Sequence, residues 1–306
     1  MFSIFGFYKF KKLNNLKKNK SILQLYMSKH QAKGAVIIAK EGINGTISGN
    51  SVNISYINKT IRSSLKFSKF DSENLSKCMF QPFHKPRVKI KKEVVPMGLK
   101  IALKVKKDNH LTPSKWNNFI KNKNTFVLDA RKSFEYEVGT FNKSINPKVN
   151  HFREFPKYLN KLNKKKPIAM FCTGGIRCEK ASSYMLKNGY KDISQLDGGI
   201  LNYLEVNKKT KSTSWKGECF VFDNRVAVNS KLDKGTYEQC YGCRQPITKR
   251  DMKLKSYKKG ATCKYCINLK TKTKIQSSST RQSQIDIAEK NNTKHSFRKI
   301  YTSKLK

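Results

Sequence analysis

Acidic residues are scarce in this chain. Asp and Glu number 20 against 65 Lys and Arg in 306 residues, which gives a formal net charge of +45. Such an excess makes a polyanionic partner, above all nucleic acid, the natural candidate. Arginine, the better phosphate reader, is also scarce at ten residues, against 26 asparagines. Because an AT-rich coding bias enriches lysine and asparagine whatever the function, a solvated lysine coat explains the excess equally well.

Long apolar runs are missing as well. Hydrophobic residues make up 37% of the chain and the mean hydropathy is −0.66. No run approaches the roughly 18 apolar residues that a membrane-spanning helix needs, so no integral membrane protein is expected. The N-terminus has no basic segment before an apolar stretch, so we expect no secretory signal and a cytoplasmic protein. A length of 306 residues suits two or three domains.

Cysteines show the most informative spacing. There are eight, and six of them form three close pairs. Secreted disulfide scaffolds are usually short, so thiol or metal chemistry in a reducing compartment is the better interpretation. Two of the pairs, Cys240 with Cys243 and Cys263 with Cys266, have the spacing of zinc-ribbon knuckles. Four thiolates would form a closed, structural zinc site, while redox-active CxxC pairs or plain thiols are the alternatives.

The order of predicted elements divides the chain into four parts. Residues 1–105 read strand, helix, two strands, helix, strand, ending with a strand at 84–95, which is the ferredoxin-like (acylphosphatase-like) pattern. Residues 112–207 alternate buried strands with helices, which predicts a parallel α/β sheet. A small four-cysteine module covers 212–270. The polar, basic tail at 271–306 is predicted to be disordered.

The central motif, Cys172-Thr-Gly-Gly-Ile-Arg-Cys178, lies between a predicted buried strand and a predicted helix. A cysteine there faces backbone N–H groups and the positive end of the helix dipole, and both favour the thiolate. We therefore predict Cys172 as a nucleophile, and Arg177 as a stabiliser of the thiolate or of a developing oxyanion. Structural alternatives are an ordinary ion pair for Arg177 and simple packing for Cys178, which could otherwise resolve a persulfide. The supporting residues are Thr173, Gly174, Gly175, Ile176, Cys178 and Asp129.

Two acidic residues upstream, Asp129 and Glu135, could orient this loop through its N–H groups or through Arg177, although purely structural roles are the alternative. Four residues separate Cys172 from Arg177, one fewer than in protein tyrosine phosphatases. The smaller cradle suits a persulfide sulfur better than a phosphate. The loop resembles the active site of rhodaneses, and the segments 127–141 and 196–200 resemble other rhodanese signatures.

Further motifs narrow the resemblance to the rhodanese-domain tRNA uridine hydroxylases, the TrhO family. It extends from about residue 5 to about residue 295, and it implies a rhodanese domain that hydroxylates the wobble uridine of certain tRNAs to 5-hydroxyuridine. It also implies Cys172 as the essential cysteine and dioxygen as co-substrate, and no flavin or nicotinamide motif is seen. The motifs are EGINGT (41–46), PFHKPRVK (82–89), EYEVGTF (135–141), FREFP (152–156), CTGGIRCEKA (172–181) and WKGECFVFD (215–223).

One basic strand carries the most specific prediction for RNA binding. Alternation places Lys85, Arg87, Lys89 and Lys91 on one face, which could contact tRNA phosphates or be a plain solvated face. Phe83, His84 or Tyr8 could stack on a splayed anticodon base. The resemblance implies that the N-terminal and rhodanese domains together hold the anticodon stem-loop. Separately, the basic tail from residue 267 onward could add non-specific affinity.

Two other functions stay open on the residues alone. The first is a persulfide- or thiosulfate-dependent sulfurtransferase, which would use the same cysteine loop. The second is a non-enzymatic RNA-binding protein that retains the rhodanese fold. An intact Cys172 and Arg177 argue against the second. Protein partners are unknown on the sequence alone.

Overall fold

A five-stranded sheet with two helices on one face forms the N-terminal domain of the computed structural model, which describes residues 1–99, 101, 103, 107–210, 213–291 and 293. The strand order is β4-β1-β3-β2-β5, antiparallel throughout except that β5 runs parallel to β2. This confirms the acylphosphatase-like fold. The elements are β1 (Phe2–Phe10), α1 (Leu16–Lys29), β2 (Lys33–Ala39), β3 (Gly42–Gly49), α2 (Ser51–Ser64), β4 (Ser72–Cys78) and β5 (Pro86–Ile90).

The strand that completes the predicted pattern was assigned wrongly. We expected this strand at 84–95. In the structure the edge of the sheet beside β1 is formed by β4, and the strand within 84–95, β5, is an additional strand at the opposite edge. The sequence of β4, SENLSKC, has almost no hydrophobic alternation because it is an edge strand with several exposed side chains. Its polar composition therefore hid it.

Alternation along the strands separates two faces of this sheet. Phe5, Phe7 and Val36 lie in the core beneath the helices, where Ile54 and Ile57 of α2 are also buried. Residues of the opposite parity, such as Tyr8 in β1, lie on the other face. That second face is directed at the next domain, because the Tyr8 hydroxyl donates to Glu179 there.

The second domain is built on a parallel sheet of order β6-β10-β9-β7, as predicted. Strand β9 is buried along its whole length, which explains its continuous apolar sequence. Helix α6 begins at Ile176, so Arg177 and Cys178 lie in its first turn. The elements are β6 (His110–Leu111), α3 (Pro113–Phe119), β7 (Phe126–Asp129), α4 (Ser133–Val138), β8 (Gly139–Phe141), α5 (Phe155–Leu159), β9 (Ile168–Phe171), α6 (Ile176–Lys187), β10 (Ile193–Leu196) and α7 (Gly199–Val206).

Part of the segment that connects the first two domains is buried in the core of the second domain. Val95 and Met97 pack in the core of the parallel-sheet domain, although the sequence assigned them to the N-terminal unit. Residues 104–106, where that unit was predicted to end, lie outside the described residues.

The region from 213 onward divides in two. Trp215 and Cys219 are buried in the core of the parallel-sheet domain, and β11 pairs with β8, so this segment extends that domain rather than opening a separate module. The four-cysteine module follows it. The elements are β11 (Trp215–Gly217), β12 (Cys219–Phe220), β13 (Ala227–Val228), β14 (Glu238–Gln239), β15 (Pro246–Ile247) and α8 (Lys272–Lys290).

Helix α8 corrects the prediction of disorder for most of the tail. Thr271 caps it by accepting a hydrogen bond from the Lys274 N–H, and Asp286 pairs with Lys259 of the four-cysteine module. Its buried positions include only one large apolar side chain, Ile285, beside a serine and an alanine, so composition does not reveal the contact. Residues 292 and 294–306 of the predicted tail lie outside the described residues. Among the helices described, none is both long and apolar enough to cross a membrane.

Candidate active site

Cys172 occupies the position immediately after β9 and is 1% exposed. The backbone N–H of Gly175 donates to its sulfur over 3.2 Å. The N–H groups of Arg177 and Cys178, in the first turn of α6, also hydrogen-bond to it. The predicted cradle of backbone donors is therefore present at this strand-to-helix turn.

These contacts decide the charge of the sulfur. Burial by itself raises the pKa of Cys172, but the thiol of Cys178, the charge of Arg177 and the backbone donors outweigh it and lower the pKa to about 6. The pKa of Cys178 is raised well above its ordinary value, first by burial and then by its hydrogen bond to Cys172. At neutral pH the site thus holds one thiolate with one protonated thiol as its donor.

The guanidinium of Arg177 forms a two-pronged ion pair with Glu135 of α4, at 2.8 and 2.9 Å. It also donates to the hydroxyl of Thr173 over 3.1 Å. Glu135 is fully buried; burial would raise its pKa, but Arg177 holds the pKa below the ordinary value. Arg177 therefore forms the ion pair with Glu135, and its positive charge is one of the causes that lower the pKa of Cys172.

Asp129 takes the structural alternative, because its hydrogen bonds go to residues outside the cysteine loop. It forms a buried, two-pronged ion pair with Arg131, and accepts a hydrogen bond from Thr140 over 3.1 Å. Arg131 also donates to the carbonyl of Gly139. Through Arg131 and Thr140, Asp129 connects the end of β7 with the residues that follow α4. Its role in the structure is to hold these two segments together.

The glycine turn at 197–200 supports the loop from below. The N–H groups of Ile200 and Leu201 donate to the carbonyls of Cys172 and Thr173 at 3.0 and 3.1 Å. Gly199 has φ +66°, and a Cβ there would lie 2.5 Å from the Cys172 carbonyl oxygen. Only glycine allows this approach.

The N-terminal domain covers the loop with Tyr8. Its hydroxyl donates to Glu179 over 2.9 Å, and it would lie 3.0 Å from a Cβ on Gly175, which has φ +98°. Tyr8 is only 5% exposed, so the prediction that it stacks on a base is wrong. Glu179 also contacts His110 and Gln195, at 3.0 and 3.1 Å.

A second buried group, Lys180, joins the two domains beside this contact. Its ammonium lies 2.8 Å from Glu41 and 2.7 Å from Glu93, and it donates to the carbonyl of Val95. It is 1% exposed. Glu179 and Lys180 belong to the CTGGIRCEKA motif, but the sequence did not indicate their roles. Their partners Tyr8 and Glu93 lie 171 and 87 residues away in the chain, so no local pattern connects them.

The basic strand lies on the same face of its sheet as Tyr8. Arg87 and Lys89 pair in register with Ala35 and Ile37, and they point away from the buried Val88. Lys85, Arg87, Lys89 and Lys91 are all exposed. The predicted arrangement of these charges is therefore present, on the face directed at the parallel-sheet domain.

The four-cysteine module brings its sulfurs together. All four lie within 4.8 Å of one another. The Sγ atoms of Cys240 and Cys266 are 4.0 Å apart, and those of Cys243 and Cys263 are 3.7 Å apart. Sulfurs placed tetrahedrally at about 2.3 Å from a zinc ion would be roughly 3.8 Å apart. The cluster therefore has the size to bind a metal ion.

Two family models match separate parts of this chain. Residues 2–94 match the family described as UPF0176 acylphosphatase like domain, and residues 112–205 match the rhodanese-like domain. Among solved structures, a rhodanese-related protein from Thermoplasma volcanium is 26% identical, covers 32% of this chain and 92% of its own, and has a TM-score of 0.29. A rhodanese-like domain protein from Staphylococcus aureus is 24% identical over 31% of this chain and 90% of its own, with a TM-score of 0.27.

A full-length relative decides the family. The tRNA uridine(34) hydroxylase of Pelagibacter ubique (strain HTCC1062) is 58% identical over 301 residues, which is 98% of this chain and 100% of that protein. The similarity thus includes both domains, the cysteine loop and the four-cysteine module. The chain therefore belongs to the family of tRNA uridine(34) hydroxylases.

Proposed function

We propose that this chain hydroxylates uridine 34, the wobble nucleotide of tRNA, to 5-hydroxyuridine, with Cys172 as the nucleophile. Membership of the hydroxylase family supports the reaction. The observation that carries the role of Cys172 is its lowered pKa, about 6, in a cradle of backbone donors. A buried thiolate in such a cradle is prepared for nucleophilic attack.

The thiolate would add to C6 of the uracil ring. That addition opens the C5–C6 double bond and places the electron pair on C5 and the C4 carbonyl oxygen, so C5 becomes reactive toward dioxygen, the co-substrate. The electron pair on C5 would bond to one oxygen atom of dioxygen and, with a proton, give a C5 hydroperoxide. A pair of external thiols would then cleave its O–O bond, which leaves a hydroxyl group on C5, releases the second oxygen atom as water and oxidises the two thiols to a disulfide. Loss of the C5 proton and departure of the sulfur then restore the double bond.

Cys178 supports both directions of this step. Its S–H stabilises the Cys172 thiolate before attack, and the same stabilisation makes the sulfur a better leaving group at the end. Arg177 and Glu135 are positioning residues in this proposal: their ion pair fixes the first turn of α6, whose N–H groups hold the sulfur.

The RNA would approach along the face of the N-terminal sheet that carries Arg87 and Lys89. These side chains neutralise phosphates of the anticodon stem-loop, whose unstacked nucleotides can be splayed into a site. We place this reaction in the cytoplasm. The cysteine quartet holds a structural zinc ion in the proposal, because four protein thiolates leave no open position for catalysis.

Sulfur transfer is the second candidate, since a low-pKa rhodanese cysteine is equally suited to carry a persulfide. The two functions share Cys172 but differ in product. A sulfurtransferase would form thiocyanate from thiosulfate and cyanide, whereas the hydroxylase has no use for either reagent.

One experiment separates the candidates: nucleoside mass spectrometry of tRNA from cells with and without the gene. Loss of 5-hydroxyuridine and its derivatives on deletion is the expected result. Loss of thiolated uridine would instead assign sulfur transfer, and an unchanged nucleoside profile would reject both enzymatic functions.

A further inference from the structure

Phe222 is an exposed aromatic side chain at the junction of the domains. It is the second residue after β12 and is 65% exposed, whereas its neighbours Val221 and Asp223 are buried. Single exposed apolar residues are common on protein surfaces. Phe222 differs from such residues in two respects: its segment is held by buried contacts, and that segment contacts both the cysteine loop and the basic strand.

The segment around Phe222 is rigid. Asp223 and Arg225 form a buried ion pair with contacts of 2.7 and 3.0 Å, and both side chains are less than 9% exposed. Val226 has φ +66°, a conformation that a β-branched residue adopts only when its surroundings enforce it. The ring of Phe222 also packs edge-on against Phe220, with 5.1 Å between the ring centres. The ring of Phe222 is therefore held on one side by Phe220, and most of its surface is exposed.

Contacts lead from this segment to the cysteine loop on two sides. On the first side, Phe220 packs against Phe134 with 5.0 Å between the ring centres, and the next residue of α4 is Glu135, the partner of Arg177.

On the second side, Arg225 lies 3.4 Å from the hydroxyl of Ser76 in β4. Two residues away, on the same face of that strand and roughly 7 Å along it, is Asn74. Its side-chain nitrogen would lie 3.8 Å from a Cβ on Gly174. The segment that carries Phe222 is thus connected with the cysteine loop through α4 on one side and through β4 on the other.

The same segment contacts the start of the basic strand. The Asn224 N–H donates to the carbonyl of Pro82, and the Asn224 amide lies 3.2 Å from a ring nitrogen of His84. His84 is exposed, and the exposed Lys85 follows it. An aromatic surface and a row of positive charges therefore meet at this point.

We infer that Phe222 is a stacking platform for an anticodon-loop base next to the uridine that is modified. This inference rests on the proposed function, and it specifies which part of the RNA the protein holds. When uridine 34 is splayed toward Cys172, a neighbouring base loses its stacking partner. A fixed aromatic ring beside basic side chains replaces that partner for any base, because every base has a π-face.

The test is binding of the full-length protein to a 17-nucleotide anticodon stem-loop with uridine 34 and with 2-aminopurine at position 35, or at position 33 in a second RNA. Stacking on an aromatic ring quenches 2-aminopurine fluorescence. We expect quenching by the wild type in at least one of these RNAs. Phe222→Ala should lose it and bind on the order of 10-fold more weakly, and Phe222→Tyr should retain it.

Tyr56→Ala is the matched control, since Tyr56 is an exposed aromatic residue on α2, on the helix-bearing side of the same domain. It should bind as the wild type does. Equal affinity and equal quenching for Phe222→Ala and the wild type would overturn the inference, and so would equal losses for Phe222→Ala and Tyr56→Ala.

Failure of the proposed function is distinguishable from failure of this inference. Nucleoside analysis of tRNA from a deletion strain that expresses the wild-type chain reports hydroxylation independently of stacking. Hydroxylation by the wild type together with undisturbed binding by Phe222→Ala rejects the platform alone. Absence of hydroxylation by the wild type rejects the function, whatever the binding data show.

Discussion

The thiol of Cys178 should control the charge of Cys172, and its removal tests the electrostatic account of the site. Among the interactions that lower the pKa of Cys172, the hydrogen bond from Cys178 is the largest. Cys178→Ala deletes this donor and should raise the pKa of Cys172 above its wild-type value of about 6. Cys178→Ser keeps an O–H donor at the same position and should preserve most of the depression.

The effect of this pKa shift on the reaction rate at one pH is small, and its effect on the pH dependence of the rate is large. At pH 7 a thiol with a pKa near 6 is roughly nine-tenths thiolate, whereas a thiol at 9 is about one per cent thiolate. Intrinsic nucleophilicity, however, falls roughly 20-fold over the same three pKa units, for a Brønsted coefficient of about 0.4–0.5. The net gain in rate at pH 7 is therefore only about 4-fold, and the midpoint of the pH–rate curve is the clearer signature.

The assay is alkylation by iodoacetamide between about pH 5 and pH 9.5, followed by peptide mass spectrometry. Tryptic cleavage after Arg177 separates Cys172 from Cys178, so each thiol is read alone. The sign follows from the lowered pKa: reactivity of Cys172 is lost as the pH falls through about 6. A wild-type midpoint above about 8, or one that does not move in Cys178→Ala, would refute the reasoning.

Three further predictions concern the loop, the metal and the RNA. Gly175→Ala should abolish most hydroxylation, because Gly175 has φ +98° and an added Cβ would meet the Tyr8 hydroxyl at 3.0 Å. The control Gly189→Ala, at φ +86° with open space around it, should leave hydroxylation intact when tRNA nucleosides are analysed. Elemental analysis of purified protein should find about one zinc per chain and much less in Cys243→Ser; under a tenth of an equivalent in the wild type would exclude a zinc site. Replacing Arg87 and Lys89 with alanine should weaken stem-loop binding and reduce the slope of log K against log salt by about one for each phosphate that the protein no longer neutralises, and an unchanged slope would remove these residues from the interface.

Local pattern was sufficient for much of the fold. Strand β1, helix α2 and strand β9 could be predicted from their apolar residues. In α2 these residues recur with the helical period and are buried on one face, and in β9 every residue is buried. Strand β4 and helix α8 could not. Both bury few large apolar side chains, so their positions depend on tertiary contacts that no local window contains.

The site divides in the same way. The sequence places Cys172, Arg177 and Cys178 in one short motif at a strand-to-helix turn, and the structure keeps them together. The contact of Tyr8 with Glu179 joins residues 171 positions apart, and spacing carries no information about it. Of the two roles open for Asp129, the structural one is present, because Arg131, two residues later, takes both of its carboxylate oxygens.

The most direct test of hydroxylation by dioxygen at Cys172 is to measure where the new oxygen atom at C5 comes from. A deletion strain would express either the wild-type chain or Cys172→Ser, a nearly isosteric change, and would be grown under ¹⁸O₂ before nucleoside mass spectrometry of its tRNA. We expect ¹⁸O-labelled 5-hydroxyuridine with the wild type and none with Cys172→Ser. Labelled 5-hydroxyuridine at wild-type levels in the Cys172→Ser strain, or unlabelled oxygen at C5 in the wild-type strain, would contradict it.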